Sequence, residues 1–256
     1  MLKILLLLLG IAGFPLIILI SPLILLFRFG NYRYGPQIGV AVSDRWPYYL
    51  QYLRLPYDFA VWRAGGTTLT VAPSDLPNLE NILNKVSGII LTGGQDIDPQ
   101  LHDGTPTAHE LLSSRRDKLE LKILDKNEKL DLPLLCICRG CQLLAVHKGG
   151  HLKNLEQHKL GTHIAKIYPD TKLHEILQKD EVRVLSIHHQ AAGAAGDLKA
   201  SAFATDDNCI EAVECPKAYW TIGIQWHPEL QAPFCKCNQK LFNTLIKKAA
   251  ANRDRH

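Results

Sequence analysis

Three short turns in this chain each carry a residue type that covalent nucleophilic catalysis at a carbonyl needs: a nucleophile, a base with its orienting acid, and donors for an oxyanion. Cys138 follows the apolar run Leu134-Leu135-Cys136-Ile137 and precedes Arg139-Gly140-Cys141-Gln142 and a second apolar run, Leu143 to Val146. That order predicts a strand, a tight turn and a helix, an elbow that lifts the thiol to the top of a sheet while Gly140 lets the following backbone pack closely. A helix N-terminus at the thiol favours the thiolate. His227 and Glu229 lie in Gly223-Ile224-Gln225-Trp226-His227-Pro228-Glu229, where a stiff Pro-containing turn holds the imidazole and a carboxylate two positions on can fix its tautomer. Gly93 and Gly94 open the turn Thr92 to Pro99, and paired glycines let a carbonyl oxygen approach backbone N–H groups. Any one of these turns alone is commonplace. Their weight comes from all three falling at the ends of apolar, strand-like segments.

Other residues able to do chemistry are less telling. Cys136, Cys138 and Cys141, with His147 and His151 downstream, have thiol spacing that zinc accepts, but Cys136 sits inside an apolar run where a buried, inert thiol is the commoner outcome, so no metal is expected. In Ser186-Ile187-His188-His189-Gln190 the adjacent histidines would point to opposite faces of a strand, which favours contact of one of them with a ligand over a shared ion. Arg115, Arg116 and Asp117 open a charged helix, and a solvated face or complementarity to a zwitterionic ligand explains them equally well.

Positioning such turns takes a parallel sheet with helices on its faces, and the chain alternates apolar runs with amphipathic stretches in that manner. Strands are predicted at Gln37 to Val42, Thr67 to Ala72, Gly88 to Thr92, Leu134 to Ile137, Arg183 to Ile187, Cys209 to Glu214 and Trp220 to Gln225. Helices are predicted near Tyr48 to Arg63, Asn78 to Lys85, Glu110 to Lys129, Gly140 to Lys148, Leu173 to Lys179 and Gln239 to Ala251. With 256 residues there is room for one catalytic domain, 37–256, behind a linker at 31–36 and an amino-terminal segment, 1–30, of different character. Ile4 to Phe27 is 24 residues without a charge. As a helix it would span roughly 36 Å, enough to cross a membrane once, with kinks at Pro15 and Pro22. Lys3 before it, against Arg28, Arg33, Arg45 and Asp44 after it, favours a cytoplasmic catalytic domain. The seven cysteines are clustered and odd in number, which fits a reducing compartment better than a disulfide framework. Balanced charge, 29 basic against 25 acidic residues, with no basic run interleaved with aromatics, argues against a nucleic-acid partner.

The stretches Gly88 to Pro99, Arg116 to Leu124, Leu134 to Leu152, Ser186 to Ala192, Ile210 to Glu214 and Gly223 to Glu229 together resemble the class I glutamine amidotransferase-like superfamily, and within it the gamma-glutamyl-gamma-aminobutyrate hydrolase group of cysteine hydrolases. The resemblance implies a flavodoxin-like three-layer α/β/α fold with a mainly parallel sheet, and hydrolysis of a small-molecule gamma-glutamyl amide without a cofactor. Cys138 would be the nucleophile, His227 the base and Glu229 its orienting acid. The N–H groups of Arg139 and of Gly94 or Gly93 would hold the oxyanion, while Gln142, Ser186, His188, His189 and Gln190 would bind the glutamyl head group. Two further readings share these residues: a glutaminase subunit delivering ammonia to a separate synthetase, and a membrane-tethered binding protein that has lost activity. A homodimer is compatible with each. Cys141 departs from the larger apolar residue more usual in the family, which predicts either a wider pocket or a second redox-active thiol.

Overall fold

The computed structural model describes residues 35–43, 51–102, 104, 112–155 and 161–253. The predicted anchor and residues 31–34 of the linker lie outside them. Among the described residues no helix is long and apolar enough to cross a membrane.

Nine strands form one sheet: β1 (Gln37–Ala41), β2 (Thr67–Val71), β3 (Gly88–Leu91), β4 (Leu134–Ile137), β6 (Gly161–Ile167), β7 (Glu181–Ser186), β9 (Lys199–Ala204), β10 (Ile210–Glu214) and β11 (Thr221–Ile224). Their spatial order is β2-β1-β3-β4-β11-β10-β9-β6-β7. Strands β5 (His151–Asn154) and β8 (Gln190–Ala194) pair separately as an antiparallel ribbon. The helices are α1 (Gln51–Arg63), α2 (Leu79–Leu83), α3 (Ser114–Leu130), α4 (Arg139–His147), α5 (Lys172–Leu177), α6 (Pro228–Gln231) and α7 (Lys236–Arg253). The five strands from β2 to β11 are mutually parallel, whereas β11, β10, β9, β6 and β7 pair antiparallel. Long crossovers through α1 and α3 impose the parallel pairings, and the short turns between β9, β10 and β11 the antiparallel ones.

The core lies on both faces of the sheet, as the two-residue period of a strand requires. On β4, Leu135 and Ile137 join Phe242, Leu245 and Trp226 on one face, while Leu134 and Cys136 join Leu119, Ile123 and Leu143 on the other. That layering agrees with the predicted three-layer class; the parallel half is the part the apolar runs foretold.

All seven predicted strands are present within two residues of their expected bounds, and four more were not foreseen. β8 reads Gln-Ala-Ala-Gly-Ala and β9 Lys-Ala-Ser-Ala-Phe-Ala, and such small residues have weak strand propensity by themselves. β5 is short and polar, and the alternation of β6 was overlooked. The helix predicted from Glu110 begins at Ser114, because Leu112 instead bridges to Asp96. α5 ends at Leu177, where Gln178 turns left-handed at φ 55°. α7 starts three residues earlier than predicted.

Candidate active site

Parallel pairing brings the three turns to one edge. Ile137 lies opposite Ile224 and Cys136 opposite Leu91, so β3, β4 and β11 release the chain side by side at their carboxyl ends. There Cys138 adopts φ 52° and ψ −109°, a region that costs an L-residue of order 1–3 kcal/mol. Its surroundings hold it there: its N–H donates to the Ile224 carbonyl at 2.7 Å and its carbonyl accepts from Gln142 N–H at 3.0 Å. A Cβ on Gly140 would lie 2.5 Å from the Leu91 carbonyl oxygen, so only glycine lets α4 start this close to β3. Among the described residues nothing accepts from the N–H of Arg139, which leaves a donor beside the thiol at the head of α4.

His227 Nδ1 lies 2.6 Å from Glu229 Oε1, and Pro228 sets the turn between them at the start of α6. With Nδ1 committed to Glu229, Nε2 is the nitrogen left for the neighbouring Cys138 sulfur. Burial opposes a charged imidazole here, but Glu229 and Cys138 outweigh it and hold the His227 pKa well above its ordinary value. Gly93 backs directly onto this pair: a Cβ there would sit 2.9 Å from His227 Cε1 and 3.4 Å from Cys138 Cβ.

The charged start of α3 is neither a solvated face nor a ligand-facing patch, apart from exposed Arg115. Arg116 and Asp117 are buried, with Glu120 and the Arg139 side chain, in a closed quartet. Arg139 pairs with both Asp117 and Glu120, and Arg116 Nε donates to Glu120 Oε1 at 2.7 Å. The spare N–H groups of Arg116 hold the Thr92 carbonyl at 2.9 Å, the Gly93 carbonyl at 3.2 Å and Gln95 Oε1 at 3.1 Å. The same quartet therefore braces both candidate oxyanion donors, the Gly93-Gly94 turn through Arg116 and the head of α4 through Arg139. A Cβ on Gly94 would lie 2.2 Å from Arg116 Nη1, which is why glycine stands there.

The predicted head-group residues are partly brought together. Gln142 Nε2 donates to the Gln190 carbonyl at 2.6 Å, and His188 Nδ1 lies 3.1 Å from the same oxygen. Gln190 Nε2 donates in turn to Asn154 Oδ1 at 2.8 Å, tying β8 to β5. Ser186 and His188 are buried, so the expected ligand contact by a histidine falls to exposed His189, which reaches across to Asp96 at 3.2 Å. Behind His188 lies Glu211, with His188 Nε2 at 3.6 Å and His163 Nε2 at 3.2 Å. Burial would raise the Glu211 pKa, yet the two histidines beside it hold it below the ordinary carboxylate value. Burial likewise opposes charge on His163, and Glu211 reverses that into a raised pKa. Cys141 does not widen the pocket: it is buried against Gly223 on the far face, and burial pushes its thiol pKa well up, as it does for Cys136.

Sequence reasoning missed Tyr57, Glu120 and Glu211. Each carried a signal, because a phenol or carboxylate recurring on the apolar stripe of a helix, or inside a strand as short as β10, must find a partner once buried.

Residues 38–229 match the Peptidase C26 family. The chain belongs to that family. As a member of the peptidase C26 family it is a hydrolase of the class I glutamine amidotransferase-like kind. Protein NtpR of Enterococcus hirae is 34% identical to it over 206 residues, covering 73% of this chain and 85% of NtpR. The gamma-glutamyl-gamma-aminobutyrate hydrolase PuuD of Escherichia coli is 28% identical over 243 residues, covering 84% and 94%. Among solved structures, the CTPS glutaminase domain of Trypanosoma brucei, with bound acivicin, has a TM-score of 0.66 at 14% identity over 84% of this chain and 94% of that one, which shows a shared fold.

Proposed function

We propose that this peptidase C26 protein hydrolyses a gamma-glutamyl amide, with Cys138 as nucleophile, His227 as base and Glu229 as its orienting acid. The observation that carries the reading is the strained Cys138 elbow facing an imidazole whose other nitrogen is held 2.6 Å from a buried carboxylate. The Cys138 sulfur attacks the amide carbonyl carbon, and the developing oxyanion is received by the N–H groups of Arg139 and of the Gly93-Gly94 turn. His227 protonates the leaving amine, and a thioester forms. Water, deprotonated by His227, then cleaves the thioester and releases the acid. In this reading Gln142, one helical turn after the nucleophile and bonded to the Gln190 carbonyl, contributes to the wall that receives the glutamyl head group, with His189 at the rim. Similarity to the PuuD hydrolase favours a small gamma-glutamyl amide over ammonia delivery to a separate synthetase.

The test is to treat the protein with a glutamine-mimicking electrophile and to assay a panel of gamma-glutamyl amides. Labelling is expected at Cys138, protected by one of the amides, and Cys138→Ala should lower turnover by at least about 10³-fold while leaving the fold intact. Near-normal hydrolysis by that variant would refute the reading. The same proposal places residues 1–30 in a membrane as a single-pass anchor with the catalytic domain on the cytoplasmic side; recovery of the full chain in the soluble fraction without detergent would contradict the anchor.

A further inference from the structure

Helix α1 buries Tyr57, Ala60 and Val61 along one face, and Tyr57 is only 5% exposed. A buried phenol has one proton to give and lone pairs to fill, and the candidate site fills a lone pair and offers a carboxylate for the proton. The Gly93 N–H donates to Tyr57 Oη at 3.1 Å. Around Gly93, the position a Cβ would take is 3.5 Å from that oxygen, 2.9 Å from His227 Cε1 and 3.4 Å from Cys138 Cβ, so phenol, imidazole and thiol enclose one backbone atom. On the donor side, the Glu229 carboxylate lies close enough to the phenol to raise its pKa. Glu229 gives Oε1 to His227, while its Oε2 is buried with no hydrogen-bond partner among the described residues.

We infer that Tyr57 is a positioning residue that ties the anion-binding turn to the triad carboxylate, accepting from Gly93 N–H while sharing its proton with Glu229. The inference rests on the hydrolase reading above and extends it. It also settles a choice that the paired glycines leave open. Gly93 N–H is engaged by Tyr57, whereas among the described residues nothing accepts from Gly94 N–H, which leaves Gly94 as the candidate oxyanion donor of the pair. On the other side, a phenol proton shared with Glu229 draws charge away from His227. The imidazolium is then strong enough to form yet still able to surrender its proton to the leaving amine. Burial first, and the Glu229 charge second, push the Tyr57 pKa well above its ordinary value, which keeps the phenol a donor throughout the working range. The titratable groups around His227 are thus Glu229, Cys138 and Tyr57, with Arg116 behind the Gly93 carbonyl.

The experiment compares wild type with Tyr57→Phe, which keeps the ring and removes only the hydroxyl, and with 3-fluorotyrosine at position 57, which keeps the hydroxyl but makes it more acidic. For each, the pH profile of Cys138 alkylation is measured beside kcat and KM. Tyr57→Phe should lower kcat about 10- to 10²-fold with little change in KM, because the turn loses its brace. Its alkaline limb should move to higher pH, since Glu229 then spends its whole charge on the imidazolium. Fluorotyrosine should move the limb the other way, a reversal that a merely space-filling ring would not produce. Coincident alkylation profiles for all three proteins would overturn the inference, even where wild type hydrolyses a gamma-glutamyl amide normally. If no amide is turned over, the hydrolase reading fails separately, and the alkylation profiles still decide the role of Tyr57.

Discussion

The two halves of the sheet fix their side of the site with different kinds of buried charge. In the parallel half, Arg116, Asp117, Glu120 and Arg139 close on one another, and the N–H groups left over hold the Thr92 and Gly93 carbonyls. In the antiparallel half a single carboxylate, Glu211, sits between His163 and His188, and His188 in turn meets the Gln190 carbonyl that also receives Gln142. Guanidinium groups keep their charge across the accessible pH range, while histidine titrates near neutrality. The turn that would carry the oxyanion donors is therefore braced through guanidinium groups, and the wall that would hold the head group through a carboxylate set between histidines.

The sharpest way to break this contrast is Glu120→Gln, which leaves two buried arginines facing one carboxylate. Loss of one partner of a buried ion pair typically costs about 3–5 kcal/mol, so the midpoint of denaturant unfolding should fall steeply. The surviving folded fraction should lose kcat more than substrate affinity, because both oxyanion donors are loosened. An unchanged midpoint would mean that the quartet contributes nothing net.

Glu211→Gln tests the other half, and its effect should be smaller and dependent on pH. His163 is held above its ordinary value, so its contribution to stability is fully present below the unfolded imidazole value of about 6.5 and is lost as pH rises through the folded value. Glu211 is held below its ordinary value, so its contribution is present above about 4.3 and is lost as pH falls through its folded value. Wild type should thus exceed Glu211→Gln in stability most clearly between those limits, with the two converging on the alkaline side. Thermal melts across the range decide it, and a constant offset at every pH would remove the titration argument.

The smallest effect is expected at Cys141. It is buried against Gly223 with its thiol pKa pushed up, so Cys141→Ala should cost only about 1 kcal/mol in stability and leave the rate of Cys138 alkylation unaltered. A large change in alkylation would restore the second redox-active thiol that a cysteine in place of the family's larger apolar residue suggested.

Much of the parallel half was legible in the chain because its signals are local. Apolar runs ending in Gly93-Gly94, Cys138-Arg139-Gly140 and His227-Pro228-Glu229 name both the strand ends and the residues released there, since turn geometry depends on neighbours in sequence. The antiparallel half was half-hidden, because β9, like β8 in the separate ribbon, is rich in alanine, which becomes a strand only when flanking strands supply the ladder.

The order of the turns, the elbow at Cys138 and the pairing of His227 with Glu229 were thus determined by the sequence itself, being properties of residues a few positions apart. Only the tertiary structure decided what those turns lean on. That Arg116 faces inward to hold a carbonyl 23 residues upstream, that Tyr57 reaches Gly93 across 36 residues, and that Glu211 joins a histidine of β6 and one of the turn after β7 depend on burial. Burial turns a charge or a phenol into an obligation to find a partner, and which partner is within reach is settled by packing, not by spacing along the chain.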